Sequence, residues 1–511
     1  MITVYHQRDK IVNIISQNGD VLFFNISGTI AGNLFSLAKK YPTENITWCN
    51  IDFKDYLNYS QLEFLLENKK AILSFGNATF LSKKIGYIDE SPFININRNI
   101  RYPTWLMCTD VGVISCEVLN LVQDNFNQND DFEYTLNSLA KIGMSQGLLC
   151  YSEPKLFTGL PPVTWKKNRS HFSLFKFTRQ HYKFRWLFLL MLNLLIYEFK
   201  FPVLPMLFSI FYSKRNSAKI NFNYDLSGDI IQVQKDYDVL IPTIGRKTYL
   251  YEFLKDLNAQ TILPKNVIVI EQNPAANSVS ELDYLTSETW NFNINHIFTN
   301  QAGACNARNA GIVETESFWT FLADDDVSVE ADFSEKVFVK LAETKTNAAT
   351  INCHLKNEKQ KYFNIMQWQT FGTCSSFVKT SELQKCLFLK GYEFGFGEDA
   401  DFGMQLRNLG NDVLYFPSPK ILHHKAPIGG FRIKPVLAWA NEIIPPKPSP
   451  TIMLYQMSHN TKEQILGYKV ILFFKYYRHQ KIRNPIKYFL YFKKQWRISV
   501  YWANKLKSAT W

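Results

Sequence analysis

Ser317-Phe-Trp-Thr-Phe-Leu-Ala323 runs directly into Asp324-Asp325-Asp326, and the reading of the whole chain turns on this junction. Seven mostly apolar residues have the length of a buried strand, and three consecutive acids end it. Adjacent carboxylates repel one another, so such a cluster is solvated, caps a helix, or is neutralised by a divalent cation. Upstream, Tyr237-Asp-Val-Leu-Ile-Pro242 predicts a strand, 247–259 a helix, and Asn266-Val-Ile-Val-Ile270 a second strand. A short strand at Asn295-His-Ile-Phe298 and a helix over 304–314 follow. Strand, helix and strand in succession mean a parallel βαβ start. In an open sheet of this kind ligands bind at the carboxyl ends of the strands, where the three acids stand.

A second acidic site lies downstream. In Gly391-Tyr-Glu-Phe-Gly-Phe-Gly-Glu398-Asp399-Ala-Asp401-Phe402, glycines deliver Glu398 and Asp399 to the start of a helix whose apolar positions Phe402, Leu406 and Leu409 recur at helical spacing. Alone, each site has an ordinary reading, a solvated turn for the first and a charged helix cap for the second. Together, strand-end and helix-start acids resemble the family 2 glycosyltransferases of the GT-A fold. The resemblance covers about 236–430 and rests on five motifs in order. Asp238-Val-Leu-Ile-Pro242-Thr243-Ile-Gly-Arg246 is similar to the opening strand and nucleotide-facing loop, and Val267-Ile-Val-Ile-Glu271-Gln-Asn273 to the second strand. Gly303-Ala-Cys-Asn-Ala-Arg308-Asn309-Ala-Gly311 is similar to the helix before the metal site, Asp324-Asp325-Asp326 to the DxD element, and Gly397-Glu398-Asp399 to the segment carrying the base.

The resemblance implies an α/β, Rossmann-like nucleotide-diphospho-sugar transferase domain. Asp324 and Asp326 would hold Mg²⁺ or Mn²⁺, which neutralises the departing diphosphate. Asp399, with Glu398 beside it, would take the proton of the acceptor hydroxyl, so that attack opposite the leaving group inverts the anomeric centre; Glu398 and Asp401 are the alternatives for the base. Pro242, Thr243, Arg246, Glu271, Arg308, Asp324 and Asp325 would line the nucleotide-sugar site, UDP-sugar being the favoured donor. Arg246 and Arg308 read equally well as structural ion pairs. Glu271 and Gln272 stand where the family commonly has two Asp residues, which bears on base recognition. His424, after a last strand at Val413-Leu-Tyr-Phe416, is read as a third metal ligand or as a polar loop residue, and Gly429, Gly430 and Arg432 as a mobile lid.

Composition bounds the remainder. The 511 residues, 46% apolar and 20% charged, exclude one small domain and a wholly disordered chain. Eight cysteines without a CxxC pair suggest neither a disulfide framework nor a zinc module, and the N-terminus lacks a signal-peptide core, so a cytoplasmic setting is expected. The net charge of +12 is uneven: 461–511 holds 12 Lys/Arg and one acid, 166–216 holds 10 and one, and the remainder is net acidic. Both basic segments are rich in aromatics, which suits an anionic membrane surface better than nucleic acid, for which no recognised module is present. Trp186–Tyr197 offers only 12 largely apolar residues against the ~20 that span a bilayer. With Pro202 and Pro205 following, an interfacial hairpin and a buried interdomain helix both stay open.

Four segments are expected: an N-terminal α/β domain over 1–157, a basic apolar membrane-associating linker over 158–235, the catalytic domain over 236–445, and a basic aromatic helical region over 446–511. Within 1–157, Asp130-Asp131-Phe-Glu133, Lys141-Ile-Gly143 and Pro154-Lys155-Leu parallel Glu398-Asp399-Ala-Asp401-Phe, Asn408-Leu-Gly410 and Pro419-Lys420-Ile. This self-similarity suggests a second, truncated and metal-free GT-A-like copy; an unrelated α/β domain is the alternative. The functional expectation is an inverting, metal-dependent glycosyltransferase on the inner face of the cell membrane, with a glycan or lipid-linked glycan acceptor. A nucleotidyltransferase and a membrane scaffold that retains the fold are the rivals.

Overall fold

Tyr237–Thr243 is buried along almost its whole length, as a strand covered by helices on both faces must be. It forms the middle of a sheet ordered 293–299, 266–272, 237–243, 319–323, 375–379, 348–355, 414–423, 327–328, with 366–367 paired outside 414–423. The first four run parallel; 375–379 is antiparallel to both its neighbours, and 414–423 returns parallel to 348–355. Asp238, fully buried at the start of the central strand, is satisfied by Asn266 Nδ2 (2.8 Å), Ser317 Oγ (2.6 Å) and the amides of Glu316 and Ser317 (2.7 and 2.9 Å). One carboxylate thereby ties three adjacent strands at the edge away from the acids. Helix Lys247–Asn258 buries Leu250, Phe253, Leu254 and Leu257 at helical spacing.

The computed structural model describes residues 1–66, 70–76, 81, 83–127, 129–159, 170–215, 220, 222, 233–427 and 436–508. They fall into two compact units: Met1–Tyr224 with Asn460–Leu472, and Asp225–His459 with Phe473–Trp511. The first unit holds its own sheet, ordered 10–16, 2–7, 45–50, 111–115, 71–75, 149–152, 102–103. Its five strands 2–7, 45–50, 111–115, 71–75 and 149–152 pair in the same order and with the same directions as 237–243, 319–323, 375–379, 348–355 and 414–423 of the second unit. Helix Phe132–Met144 precedes 149–152 as Glu398–Asn408 precedes 414–423, so the paired sequence passages occupy matching positions. Where the second unit adds two parallel strands, the first has, among the described residues, only the antiparallel hairpin strand Lys10–Ser16. Where the second ends a strand in three acids, the first has Asn50 capping the amide of Asp52.

The expected boundaries shift. Residues 170–215 are not a linker: helices His171–His181 and Arg185–Glu198 send Phe175, Phe177, Leu187, Leu190 and Leu194 into the core that also contains Val4 and Trp48. Nor is 446–511 a separate region. Gln464 Nε2 donates to the carbonyls of Asp89 and Ser91, both at 3.0 Å, within the first unit, whereas helices Pro450–His459 and Pro485–Ser508 belong to the second. In the latter helix Tyr488, Phe492, Trp496 and Ala503 recur on one stripe and are buried. Much of the aromatic pattern expected to face lipid is therefore a packing face, and Ile486, Phe489, Leu490 and Tyr501 are what it leaves exposed. Among the described residues no helix is long and apolar enough to cross a membrane.

Gly467 lets its helix approach backbone: a Cβ there would lie 2.3 Å from the Tyr87 carbonyl oxygen. Gly467→Ala should therefore destabilise by about 1–3 kcal/mol, as overpacking does. A thermal melt checks this; an unchanged midpoint would contradict it.

Candidate active site

The acids at the end of Trp319–Ala323 do not share one environment. Asp325 is buried and receives Thr243 Oγ1 (2.7 Å) from the end of the central strand and Arg246 Nη1 (2.6 Å) from the loop behind it. Burial pushes its carboxyl up to about 6, and Arg246 and Thr243 only partly offset this. Asp326 is equally buried yet goes the other way, down to about 2: burial opposes ionisation, but His423, the amide of Ala426 (2.9 Å) and Arg246 outweigh it. Asp324 is more exposed and pairs with Arg308 Nη2 at 3.1 Å. Arg308 projects from Ala304–Ile312, buried against the Phe388 ring 5.5 Å away.

The helix opens at Gly303, whose φ of +146° lies in the left-handed region and whose Cβ would sit 2.5 Å from the Glu393 carboxyl carbon; only glycine fits there. Glu393 accepts the amides of Cys305 (3.2 Å) and Asn306 (2.9 Å), a carboxylate at the positive end of a helix. Gln272 Oε1 accepts the amide of Gly303 at 2.6 Å. A second left-handed glycine, Gly397 (φ +114°), starts Glu398–Asn408 and presents both of its first acids. Burial, with Asp399 next to it, pushes Glu398 up to about 7. Asp399 is also raised by burial, against the pull of Arg308 and of Thr373 Oγ1, which donates to its Oδ1 at 2.6 Å.

Pro242, Thr243, Arg246, Arg308, Asp324, Asp325 and Glu398 line one cleft, joined by Gln272, Tyr392 and Glu393. Asp399, bonded by Thr373 Oγ1, is not among these lining residues. Three expectations come out differently. Glu271 does not line the cleft: its oxygens take His296 Nε2 (2.9 Å) and the amide of Glu281 (3.0 Å), and Gln272, the next residue of an alternating strand, faces it instead. Asp401 is fully engaged by His459 (2.7 Å), Tyr392 OH (3.2 Å) and Gln405 (2.7 Å), which makes it an anchor rather than a base. His424 turns to Ser328 Oγ at 2.9 Å, and His423 approaches Asp326 Oδ1 at 3.2 Å. The final strand runs on through 417–419 to His423, so successive side chains point to opposite sides and the neighbour of the expected residue faces the acids. Thr373 and His423 were missed in the sequence; a strand drawn to residue 423 would have found the latter by alternation. Gly429, Gly430 and Arg432 lie outside the described residues.

One carboxylate oxygen from each of Asp324 and Asp326 and a His423 nitrogen lie within 4.8 Å of one another. Asp326 Oδ1 is buried, and among the described residues no well-aligned hydrogen bond reaches it, although His423 and Arg246 Nη1 (3.3 Å) are near. Two carboxylates and an imidazole gathered this closely fit a divalent cation such as Mg²⁺ or Mn²⁺.

Residues 238–394 match Glycosyl transferase family 2. Among solved structures, S. aureus TarS 1–349 aligns at 16% identity and a TM-score of 0.31 over 37% of this chain and 60% of that one. The same protein in complex with UDP-GlcNAc aligns at 16% and 0.32 over 48% and 72%. GalNAc-T7 with UDP, GalNAc and Mn²⁺ aligns at 11% and 0.30 over 37% and 44%. The chain thus spans less than two thirds of the first and last of these. No curated protein matches it.

Arg308 is the cation that favours the charged form of Asp399. Arg308→Gln should raise the Asp399 carboxyl further. A carboxyl-carbon NMR titration reads this directly; an unmoved or lowered midpoint would contradict the electrostatic assignment.

Proposed function

We propose, from the premise that residues 238–394 are a family 2 glycosyltransferase domain of the GT-A fold, that this enzyme transfers a sugar from a nucleoside-diphosphate donor, UDP-sugar favoured, to a glycan or lipid-linked glycan hydroxyl with inversion. The observation that carries the reading is the convergence of Asp324, Asp326 and His423, whose ligand atoms lie within 4.8 Å of one another, in a sheet whose cleft also holds Glu398. Asp324, Asp326 and His423 would hold Mg²⁺ or Mn²⁺, which when bound supplies positive charge against the diphosphate. Arg246, drawn to Asp325 and Asp326, and Arg308, drawn to Asp324, keep two guanidinium groups at the same wall. Gln272 and the Gly303 turn shape the floor, where a backbone without side chain lets a ligand approach closely.

Asp399 is the base in this reading. Thr373 orients it, its hydroxyl donating to Oδ1 at 2.6 Å. Its raised pKa brings it closer to the hydroxyl's and strengthens it as a base, at the cost of being ionised only above the ordinary carboxylate range. Transfer should therefore fall on acidification at a pH higher than an ordinary Asp would dictate. The basic segments support a place on the cytoplasmic face of an anionic membrane, where such acceptors are presented. The matching strand core of the first unit is a second copy of the fold that lacks the triple acid and, among the described residues, the two outer parallel strands.

Asp399→Asn keeps size and removes the charge; transfer should drop by about 10²–10⁴ while donor affinity stays within a few fold. Glu398→Gln is the comparison, and an equal or greater loss there, with Asp399→Asn active, would move the base one residue. Asp324→Ala and Asp326→Ala should weaken both nucleotide binding and transfer, and EDTA should mimic them; undiminished turnover in EDTA would overturn the metal reading.

A further inference from the structure

Helix Arg185–Glu198 buries Leu187, Leu190, Met191 and Leu194 on one side. On the other, Phe184, Phe188, Leu195 and Ile196 are exposed, at spacings of four, seven and one that keep them on one face. The chain reverses at Phe199, in the left-handed conformation, and helix Val203–Ile210 follows. Its exposed residues Val203, Leu204, Leu207, Phe208 and Ile210, with Phe211 beyond, again form an apolar face, and Ser209 is its buried member. Phe199 is 90% exposed, Phe201 63% and Phe211 88%. The Phe208 ring lies 5.8 Å from that of Phe172 on the preceding helix, itself exposed, so the two faces and this ring join around one hairpin. Soluble surfaces seldom carry so many adjacent large apolar groups without a use.

The rim is cationic. Lys183, Arg185, Lys200 and Lys214 are all exposed at the ends of these helices. Among the described residues no carboxylate lies within ion-pair reach of Lys183, Arg185 or Lys214, and Lys200 meets only Glu198, at 3.6 Å, which also holds Lys84. Two copies meeting through this face would bring like charges together. An anionic bilayer supplies the opposite charge at headgroup level and an apolar layer beneath it. Helices of 14 and 8 residues are too short to cross.

We infer that the exposed apolar face of the 184–211 hairpin, with its cationic rim, is the element that docks the enzyme on an anionic lipid surface, lying in the interface without spanning it. The inference rests on the membrane placement proposed above and narrows it to this hairpin. It makes the aromatic ends of the C-terminal helix secondary, since their stripe is spent on internal packing.

The test is co-sedimentation of the full chain with vesicles of phosphatidylcholine plus phosphatidylserine, against phosphatidylcholine alone. Wild type should prefer the anionic vesicles, and the triple variant F201E/F208E/F211E should bind them at least about tenfold more weakly. Val12→Glu, on an exposed strand position, is the control and should bind as wild type. Because the substituted rings are exposed, the variant's melting midpoint and its donor hydrolysis should match wild type. Hydrogen exchange of 199–212 in the unaltered chain should slow when vesicles are added, a readout independent of any variant. Wild type that ignores anionic vesicles would overturn both the inference and the membrane placement. A variant that still binds as tightly, with unchanged exchange at 199–212, would overturn the inference alone. A variant that instead turns a dimer into a monomer would assign the face to a second copy.

Discussion

Three consecutive carboxylates end one strand, and each has a nitrogen partner from a different element: Asp324 has Arg308, Asp325 has Arg246, Asp326 has His423. The remainder of the catalytic unit is arranged around this division. Arg308 comes from helix Ala304–Ile312, Arg246 from the turn before Lys247–Asn258, and His423 from the end of the last long strand. The acids therefore pin two helices and a sheet edge to one point. Without these partners, neighbouring buried charges would repel one another and lose hydration together. The division is also unequal: burial pushes one acid up to about 6, while its neighbour is held down to about 2. Identical side chains, one residue apart, thus have different chemistry because one has an imidazole and a backbone amide and the other mainly burial.

The opposite side of the cleft solves a related problem with backbone. Gly303 and Gly397, both left-handed, each begin a helix. The first admits Glu393 to the helix end; the second aims Glu398 and Asp399 while Asp401, one turn further, is fixed by His459, Tyr392 and Gln405. A helix start held by its own third acid keeps the first two from drifting. Arg308 connects the two walls, since it pairs with Asp324 and also lowers Asp399.

Much of this was legible in sequence because it is written in local pattern. The apolar runs ending in charge gave the parallel strands, and the glycine-spaced acids gave the helix start at 398. Alternation and partner choice were not legible. His423 rather than His424 faces the acids because the strand runs on to residue 423, and Gln272 rather than Glu271 faces the cleft because local charge does not say which side of a strand a residue occupies. Thr373 carries no local signal at all; it reaches Asp399 only through the antiparallel return of 375–379. The helices of 170–215 read as a linker from composition, but composition does not say which face of a helix is buried, and Leu187, Leu190 and Leu194 join a core that reaches back to Val4 and Trp48. The aromatic stripe of 485–508 failed as a lipid-facing pattern for the same reason: periodicity defines a face, and the partner of that face is tertiary.

The central claim is that Asp399 activates the acceptor directly against a departing diphosphate, in one displacement. The most direct measurement is proton NMR of the anomeric signal in product formed from a nucleoside-diphosphate sugar of known configuration, recorded before mutarotation or further transfer. The account predicts the opposite anomeric configuration from that of the donor. Product with the donor's configuration retained would contradict it, since a single attack assisted by one base cannot preserve the centre.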